Sequence, residues 1–295
     1  MTNIKLSVLD LVPVLEDTDD VGALHQAVLL AQSAEKWGYR RYWTSEHHDM
    51  EALASATPEV LLAHIGARTS TIHLGSGAVL LPHYSPLKVA EAFHLLAALY
   101  PGRVDLGIGR APGGSAHASM ALSGNYLEHV RNLPKSIQAL RDLLTGKYRY
   151  EDVPVQARPI PPEAPSLWLL GTNVKSAGYA AEYGTGYVFG KFMSEHDGKS
   201  VLAAYREQFQ PSQLMSEPKA IVAISIICAE TTEEANRIAG GEKADIIGDP
   251  SLVQLELEKL SQTYETDEFI VINSKGSYKE RLKSYQLIAE VMSLQ

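Results

Sequence analysis

The sequence predicts a (β/α)₈ barrel, the TIM barrel architecture, with insertions, and three observations support this. Short apolar or β-branched segments alternate with helical segments along the chain, about eight times. The 295 residues suit one large α/β barrel, and no change in composition marks a second domain, so residues 1–295 are predicted to form one domain. Potentially reactive side chains follow several predicted strands, where barrel enzymes place their chemistry.

The first part of the chain alternates regularly. Residues 4–9 alternate apolar and polar side chains and are followed by Asp10, which predicts a strand. Apolar residues recur at helical spacing from Val21 to Trp37, and Trp43 lies in the next strand. The sequence then predicts a helix after Pro58 at 59–69, a strand at 72–81, a helix at 86–99 and a strand at 103–108.

The second part contains two irregular segments. Residues 109–124 lack periodicity and are predicted to form a long loop. The proline-rich residues 146–165 are predicted to form an extended excursion, and a helix is predicted between the two segments at 126–144. The remaining predicted strands are 167–170, 187–189, 220–229 and 269–272. Residues 171–183 are predicted to form a turn and a helix, and the remaining helices are 198–209, 232–239, 249–263 and 278–292.

Composition excludes several classes of protein. The net charge of −9 argues against nucleic acid or an anionic membrane as a partner, because both require clustered Lys and Arg. No apolar run reaches membrane-spanning length and no leader is evident, so a cytoplasmic protein is expected. The single cysteine, Cys228, excludes an intrachain disulfide and is interpreted as a small buried hydrophobe.

The strand that contains Trp43 ends in Glu46, His47 and His48. Imidazole exchanges protons near neutral pH, so this strand end is the first candidate for acid–base catalysis. A solvated loop without function is the competing interpretation. A metal site is not predicted, because adjacent residues on a strand point to opposite faces and do not readily share one ion.

Three other segments are candidates for ligand binding. Gly75 and Gly77 lie within a predicted strand, either to admit a flat ligand or to bend the barrel. Arg110 follows a strand in a glycine-rich loop and suits a phosphate or a surface salt bridge. Pro112 replaces the third glycine of a dinucleotide fingerprint, so that motif is rejected.

The third segment, residues 170–176, joins a buried strand to a helix. Backbone N–H groups at a helix start favour phosphate, and Thr172, Asn173 and Ser176 add side-chain donors. Ordinary capping of the helix is the competing interpretation for the same residues.

Together these motifs resemble those of the bacterial luciferase-like flavin monooxygenases, in particular single-component members that are not luminescent. The stretches that carry the resemblance are residues 43–48, 75–82, 101–110 and 169–172. The resemblance implies a barrel with an insertion, a homodimer, and FMN supplied in reduced form by a separate flavin reductase. It implies O₂ as co-substrate and a flavin peroxide that attacks a small organic substrate.

The resemblance also implies roles for individual residues. The catalytic histidine corresponds to His47, beside Glu46, and the phosphate-binding arginine to Arg110. A non-proline cis peptide beneath the flavin ring corresponds to Gly77-Ala78, and the phosphate-binding turn to Thr172, Asn173 and Ser176. An apolar lining from Val8, Trp43 and Leu80 is expected.

Two departures from the family pattern motivate alternatives. Gly109 occupies the position of a reactive cysteine in the luciferases, and the stretch from Ala229 to Asp249, which normally helps to cover the flavin, is short. A flavin-binding protein without catalytic activity is therefore one alternative. A deazaflavin-dependent oxidoreductase of the same fold is another.

Overall fold

A computed structural model describes residues 4–16 and 18–294, and its centre is a closed barrel of eight parallel strands. In chain order the barrel strands are β1 (Lys5–Asp10), β2 (Arg41–Thr44), β3 (His73–Ser76), β5 (Val104–Gly109), β8 (Ser166–Gly171), β9 (Gly186–Gly190), β10 (Ala220–Cys228) and β12 (Glu268–Ile272). Strand β12 pairs with β1, and β9 pairs with β10, which closes the barrel. Because every barrel pair is parallel, the carboxyl ends of all these strands form one rim.

Four further short strands lie outside this order. They are β4 (Val79–Leu80), which extends the sheet beside β5, β6 (Arg149–Tyr150) and β7 (Val153–Pro154), which form a hairpin, and β11 (Ile246–Gly248), which pairs with β10. The helices are α1 (Asp20–Lys36), α2 (Pro58–Gly66), α3 (Pro86–Leu99), α4 (Ala116–Ser123), α5 (Tyr126–Arg131), α6 (Leu133–Leu144), α7 (Val174–Tyr183), α8 (Gly198–Gln208), α9 (Thr232–Ala239), α10 (Pro250–Tyr264) and α11 (Tyr278–Val291).

The helices begin where local sequence favours a helix start. Helices α2, α3 and α10 each open with proline, whose missing N–H would have no partner there. The Asp19 side chain caps α1 by accepting a hydrogen bond from the N–H of Gly22. These signals explain why the predicted helix starts lie close to the observed ones.

The barrel fold is confirmed, but several predicted elements differ from the structure. The strand predicted at 72–81 is interrupted, because β3 ends at Ser76 and β4 begins only at Val79. The loop predicted at 109–124 contains α4, and the helix predicted at 126–144 is broken into α5 and α6. The break precedes Pro134, which lacks the N–H that a continuous helix requires.

Two short elements were not predicted at all. The excursion at 146–165 contains the β6–β7 hairpin, whose turn residues Glu151 and Asp152 both have positive φ. Strand β11 lies between the helices predicted at 232–239 and 249–263, in residues for which no element was predicted from the sequence. The three strands involved are each two or three residues long, too short to show periodicity.

The strands place alternate side chains on two sides of the barrel wall. Outward-facing residues pack under the helices in the main core, for example Val8, Tyr42 and Leu74. Inward-facing residues form a second cluster that includes Leu9, Trp43 and Trp168, whose two indole rings meet edge to face at 6.0 Å. The barrel interior is therefore a packed core, and space for a ligand lies above it, at the carboxyl rim.

The amino-terminal end of the barrel is closed by a buried ion-pair network. The Arg41 guanidinium donates from Nη1 to Asp105 Oδ2 and from Nε to Glu268 Oε1, each at 2.6 Å. Burial alone would lower the pKa of Arg41, but the two carboxylates outweigh burial and raise that pKa. This network lies at the end of the barrel that serves stability.

Candidate active site

A cavity of about 350 Å³ lies at the carboxyl rim, within the range of about 300–1,000 Å³ typical of ligand sites. It contains the residues to which the resemblance assigned a catalytic or cofactor-binding position, although they come from four separate parts of the chain. These are Glu46, His47, Gly77, Ala78, Arg110, Thr172, Asn173 and Ser176. His47 and Arg110 thus line the same cavity although they are 63 positions apart in the sequence.

His47 is a partly buried imidazole with one free nitrogen. Its Nδ1 lies 3.0 Å from Ser45 Oγ, which can donate or accept and so stabilises either neutral tautomer. Within residues 4–16 and 18–294, Nε2 has no hydrogen-bond partner. Burial, and then the charge of His48, lower the pKa of His47, so the neutral ring dominates at neutral pH and can accept a proton at Nε2.

Ser55 fixes the backbone that carries His47. Its hydroxyl donates to the carbonyl of Ser45 at 2.6 Å and lies 3.0 Å from Thr44 Oγ1, and its own carbonyl accepts from the N–H of His47 at 2.9 Å. Ser55 is only 2% exposed. The backbone and the side chain of Ser55 therefore both fix the strand end that carries His47, and the interpretation as a solvated loop is wrong.

Glu46 is buried, and its carboxylate is fully engaged. Oε1 accepts from Tyr84 Oη at 2.7 Å and lies 2.8 Å from His48 Nε2, while Oε2 accepts from the N–H of Leu80 at 3.0 Å. Leu80 comes two residues after the cis bond between Gly77 and Ala78. Glu46 therefore connects the His47 strand end to the Gly77–Leu80 segment, and its contacts are those of a positioning residue.

Cationic groups gather on the side of the cavity that contains β5 and α7. Arg110 and Lys175 both line the cavity, and no carboxylate in the described parts of the chain forms an ion pair with either. Helix α7 begins beside them, so its first N–H groups add positive partial charge. This part of the cavity suits an anion such as phosphate.

The capping interpretation of residues 172–176 also holds. Asn173 Oδ1 accepts from the N–H of Ser176 at 3.1 Å, and Ser176 Oγ accepts from the N–H of Asn173 at 3.4 Å, in a reciprocal capping box. Ser176 Oγ also lies 3.0 Å from Tyr187 Oη. These two side chains thus shape the start of α7, while Thr172 makes no side-chain hydrogen bond among the described residues.

The opposite half of the cavity is apolar. Its described lining residues come from β1 and the segment after it, from β9, from β10 and from the 3₁₀ turn after β9, and none carries a polar side chain: Leu9, Leu11, Val188, Gly190, Phe192, Met193 and Ala223. Three apolar residues were expected to line the cavity. The prediction is confirmed for Leu80 and is wrong for Val8 and Trp43. Val8 faces the helices and Trp43 lies in the packed barrel interior.

The two glycines of residues 75–77 have different explanations. A Cβ at Gly75 would lie 2.4 Å from Trp43 Nε1, so this glycine is required by packing inside the barrel. Gly77 lines the cavity, and a Cβ there would also be close to a side chain, 2.6 Å from Leu9 Cδ1. The peptide bond from Gly77 to Ala78 is cis, at the position that the resemblance implied.

Other residues at strand ends have structural partners that the sequence did not reveal. The Asp10 carboxylate accepts from Arg281 Nη2 at 2.6 Å and from Tyr42 Oη at 2.6 Å, and all three side chains are buried. Arg281 is distant in sequence and has no motif around it. Lys175, which lies within the capping turn between Asn173 and Ser176, was not predicted as a cation of the site although the predicted phosphate turn contains it.

The fold and this rim cavity define a barrel of the luciferase-like class. The family model for luciferase-like monooxygenases matches residues 4–286, and the chain belongs to this family. The luciferase-like monooxygenase of Escherichia coli (strain K12) is 33% identical, with 98% of this chain and 97% of that protein covered.

Two further comparisons cover nearly the full length. The N-acetyl-S-alkylcysteine monooxygenase of Bacillus subtilis (strain 168) is 33% identical, with 98% of each chain covered. The crystal structure of apo-MsnO8 has a TM-score of 0.89 and 32% identity over 100% of this chain and 99% of the other. No helix in residues 4–16 and 18–294 has the length and apolarity needed to cross a membrane.

Proposed function

We propose that the protein is an FMN-dependent monooxygenase that binds FMN reduced by a separate flavin reductase and oxygenates a small organic substrate with O₂. The observation that carries this proposal is the single cavity that brings His47, Gly77–Ala78, Arg110 and the start of α7 together. Membership of the luciferase-like monooxygenase family supports the same reaction class.

The residues present fit FMN at both of its ends. Arg110, Lys175 and the first N–H groups of α7 would hold the phosphate, because they offer positive charge that no described carboxylate neutralises. The flat ring would lie against Gly77 and Ala78, with His47 on the same cavity wall. This arrangement orders the cavity from a phosphate end to a reaction end.

The chain's own residues would then control protons and water. Reduced FMN, when bound, supplies two electrons, so that one oxygen atom of O₂ enters the substrate and the other leaves as water. Neutral His47 accepts a proton at Nε2 while Ser45 holds its Nδ1. Glu46 keeps the His47 strand end and Leu80 in fixed relation, and the apolar half of the cavity excludes water from the reaction.

An anaerobic titration tests the cofactor. Reduced FMN is expected to bind reversibly, and reduced deazaflavin to bind more weakly. Failure of reduced FMN to bind would reject the proposal, and preferential binding of the deazaflavin would favour the hydride-transfer alternative. The absorbance spectrum of any ligand that copurifies with the protein provides an independent check.

Labelled oxygen tests the reaction. With ¹⁸O₂, reduced FMN and a panel of N-acetyl-S-alkylcysteines and long-chain aldehydes, the expected product carries one labelled atom. The thioethers belong in the panel because of the Bacillus relative. If FMN binds but no member of the panel is oxygenated, the non-catalytic alternative gains support.

We also propose a homodimer formed through α2 and α3. These helices contact each other and leave large apolar side chains in solvent: Val60 is 65% exposed, Leu95 50% and Leu99 56%. Light scattering should give twice the chain mass, and Leu99→Lys should reduce it. A monomer at all concentrations would contradict this proposal.

A further inference from the structure

The loop that carries Arg110 has little hydrophobic anchoring of its own. It runs from residue 110 to residue 126 and includes α4, of which only Ser119 is buried, while the next helix, α5, has no buried residue. Met120 and Leu127 on these helices are 65% and 68% exposed. The position of the loop must therefore depend on specific polar and aromatic contacts.

Several of these contacts meet at one side chain, His83. It lies in the 3₁₀ turn after β4 and is 7% exposed. Its Nε2 lies 2.9 Å from the carbonyl of Pro112, and its Nδ1 lies 2.9 Å from Ser123 Oγ. Because a carbonyl only accepts, Nε2 carries the proton. His83 thus contacts the start of the loop and the end of α4 at once.

The same imidazole supports the loop through Tyr126. The two rings stack with centroids 5.0 Å apart and planes 26° apart. Tyr126 Oη donates to the carbonyl of Arg110 itself. His83 is therefore connected to Arg110 by a short chain of contacts, one ring stack followed by one hydrogen bond to the Arg110 backbone.

The loop also lies close against the catalytic strand end. The N–H of His48 donates to the carbonyl of Gly113 at 2.7 Å. Gly113 has a φ of +71°, and a Cβ there would lie 2.1 Å from Leu80 Cδ1. A small displacement of the loop would therefore move Arg110 and would also change the contact with Leu80, which lines the cavity.

We propose that His83 is a positioning residue that holds the 110–126 loop so that Arg110 faces the phosphate of the cofactor. This inference rests on the proposed function, because it assigns Arg110 to the FMN phosphate. It predicts that loss of His83 weakens recognition of the phosphate in particular, and that flavin binding as such is affected less.

The test compares reduced FMN with reduced riboflavin, which lacks the phosphate, in anaerobic titrations. The wild-type protein should prefer FMN, and Arg110→Ala should lower that preference roughly 10- to 100-fold, as expected for a charged hydrogen bond. His83→Ala should lower it roughly tenfold, and the double variant no further than Arg110→Ala alone, because both changes remove one interaction.

Two variants separate positioning from a general loss of stability. His83→Gln retains an N–H donor for the Pro112 carbonyl and should restore part of the preference. His94 is the matched control, since it is also buried, at 4% exposed, donates from Nδ1 to the Ala157 carbonyl and has no hydrogen bond to the loop. His94→Ala should destabilise the protein while leaving the ratio of the two affinities unchanged.

The outcomes distinguish the two proposals. If the wild-type protein binds reduced riboflavin as tightly as reduced FMN, the assignment of Arg110 to the FMN phosphate is wrong, and the proposed role of His83 is wrong as well. If the wild type prefers FMN but His83→Ala retains the full preference, the inference about His83 alone is overturned. Amide hydrogen exchange should show faster exchange across 110–126 in His83→Ala, and unchanged exchange there would also contradict the inference.

Discussion

Replacing His47 with asparagine is expected to lower the turnover number roughly 100- to 10,000-fold, the usual contribution of a positioned acid–base group. Asparagine can retain the hydrogen bond to Ser45, so the strand end should keep its shape. It has no ionisable nitrogen, however, and no proton acceptor replaces Nε2. Stopped-flow measurement of product formation, with saturating reduced FMN, checks the rate.

Two measurements show whether the loss is chemical. The affinity for reduced FMN should change little in His47→Asn, because this side chain is not assigned to the phosphate. Ser45→Ala, which leaves the imidazole but removes its Nδ1 partner, should cost roughly tenfold or less. Equal turnover in His47→Asn and wild type would exclude His47 from the reaction.

The pH dependence follows from the lowered pKa of His47. If the neutral ring accepts the proton, the rate rises with pH through this pKa, below the ordinary value of about 6.5, and is flat above it. The unfolded chain binds a proton at His47 where the folded protein does not. Stability therefore falls as the pH drops from about 6.5 toward the lowered pKa, and His47→Asn should remove both effects.

Replacing Arg41 with methionine is expected to destabilise the protein by roughly 3–5 kcal/mol, because the change leaves the buried Asp105 carboxylate without its cation and Glu268 with only Arg40, at 3.6 Å. Asp105 is 1% exposed and Glu268 8%. Methionine keeps an unbranched apolar side chain, but it also removes the guanidinium that lies over the Trp168 ring at 5.2 Å. Urea unfolding followed by far-UV circular dichroism measures the difference.

A surface ion pair at the same end of the barrel is the matched control. Lys5 and Asp267 lie 2.7 Å apart, but their side chains are 40% and 57% exposed. Lys5→Met should therefore change the free energy of unfolding by less than about 1 kcal/mol. Adding Asp105→Asn and Glu268→Gln to Arg41→Met should recover part of the loss; a difference below 1 kcal/mol for Arg41→Met alone would contradict the role of the network.

The long elements of the barrel were predictable because periodicity and helix-start signals agree in them. Helix α1 shows this, with buried residues at Ala23, Ala27, Leu30 and Ala34 that repeat at helical spacing. The errors occur where fewer than about nine residues form an element. Helix α4 buries only Ser119, so its sequence lacks the apolar stripe by which a helix is recognised.

The candidate site was predictable to the extent that motifs mark strand ends, since a parallel barrel brings all such ends to one rim. The spacing of residues in the sequence did not predict the hydrogen-bond and ion-pair partners of the polar side chains. The Glu46 carboxylate is a clear case, because its partners Tyr84 and the Leu80 N–H lie more than 30 residues away in sequence. The buried pair of Asp10 and Arg281, 271 residues apart, is another.

The cavity has its polar side chains on the sector of β2, β5 and β8 and an apolar sector formed by β1, β9 and β10. Under the proposed function, the residues proposed to hold the cofactor and the apolar residues that remain for a substrate therefore come from different parts of the sequence. Libraries randomised at Leu11, Val188, Phe192 and Met193 would leave Arg110 and His47 untouched. The barrel is for this reason a suitable starting point for directed evolution toward new oxidation substrates.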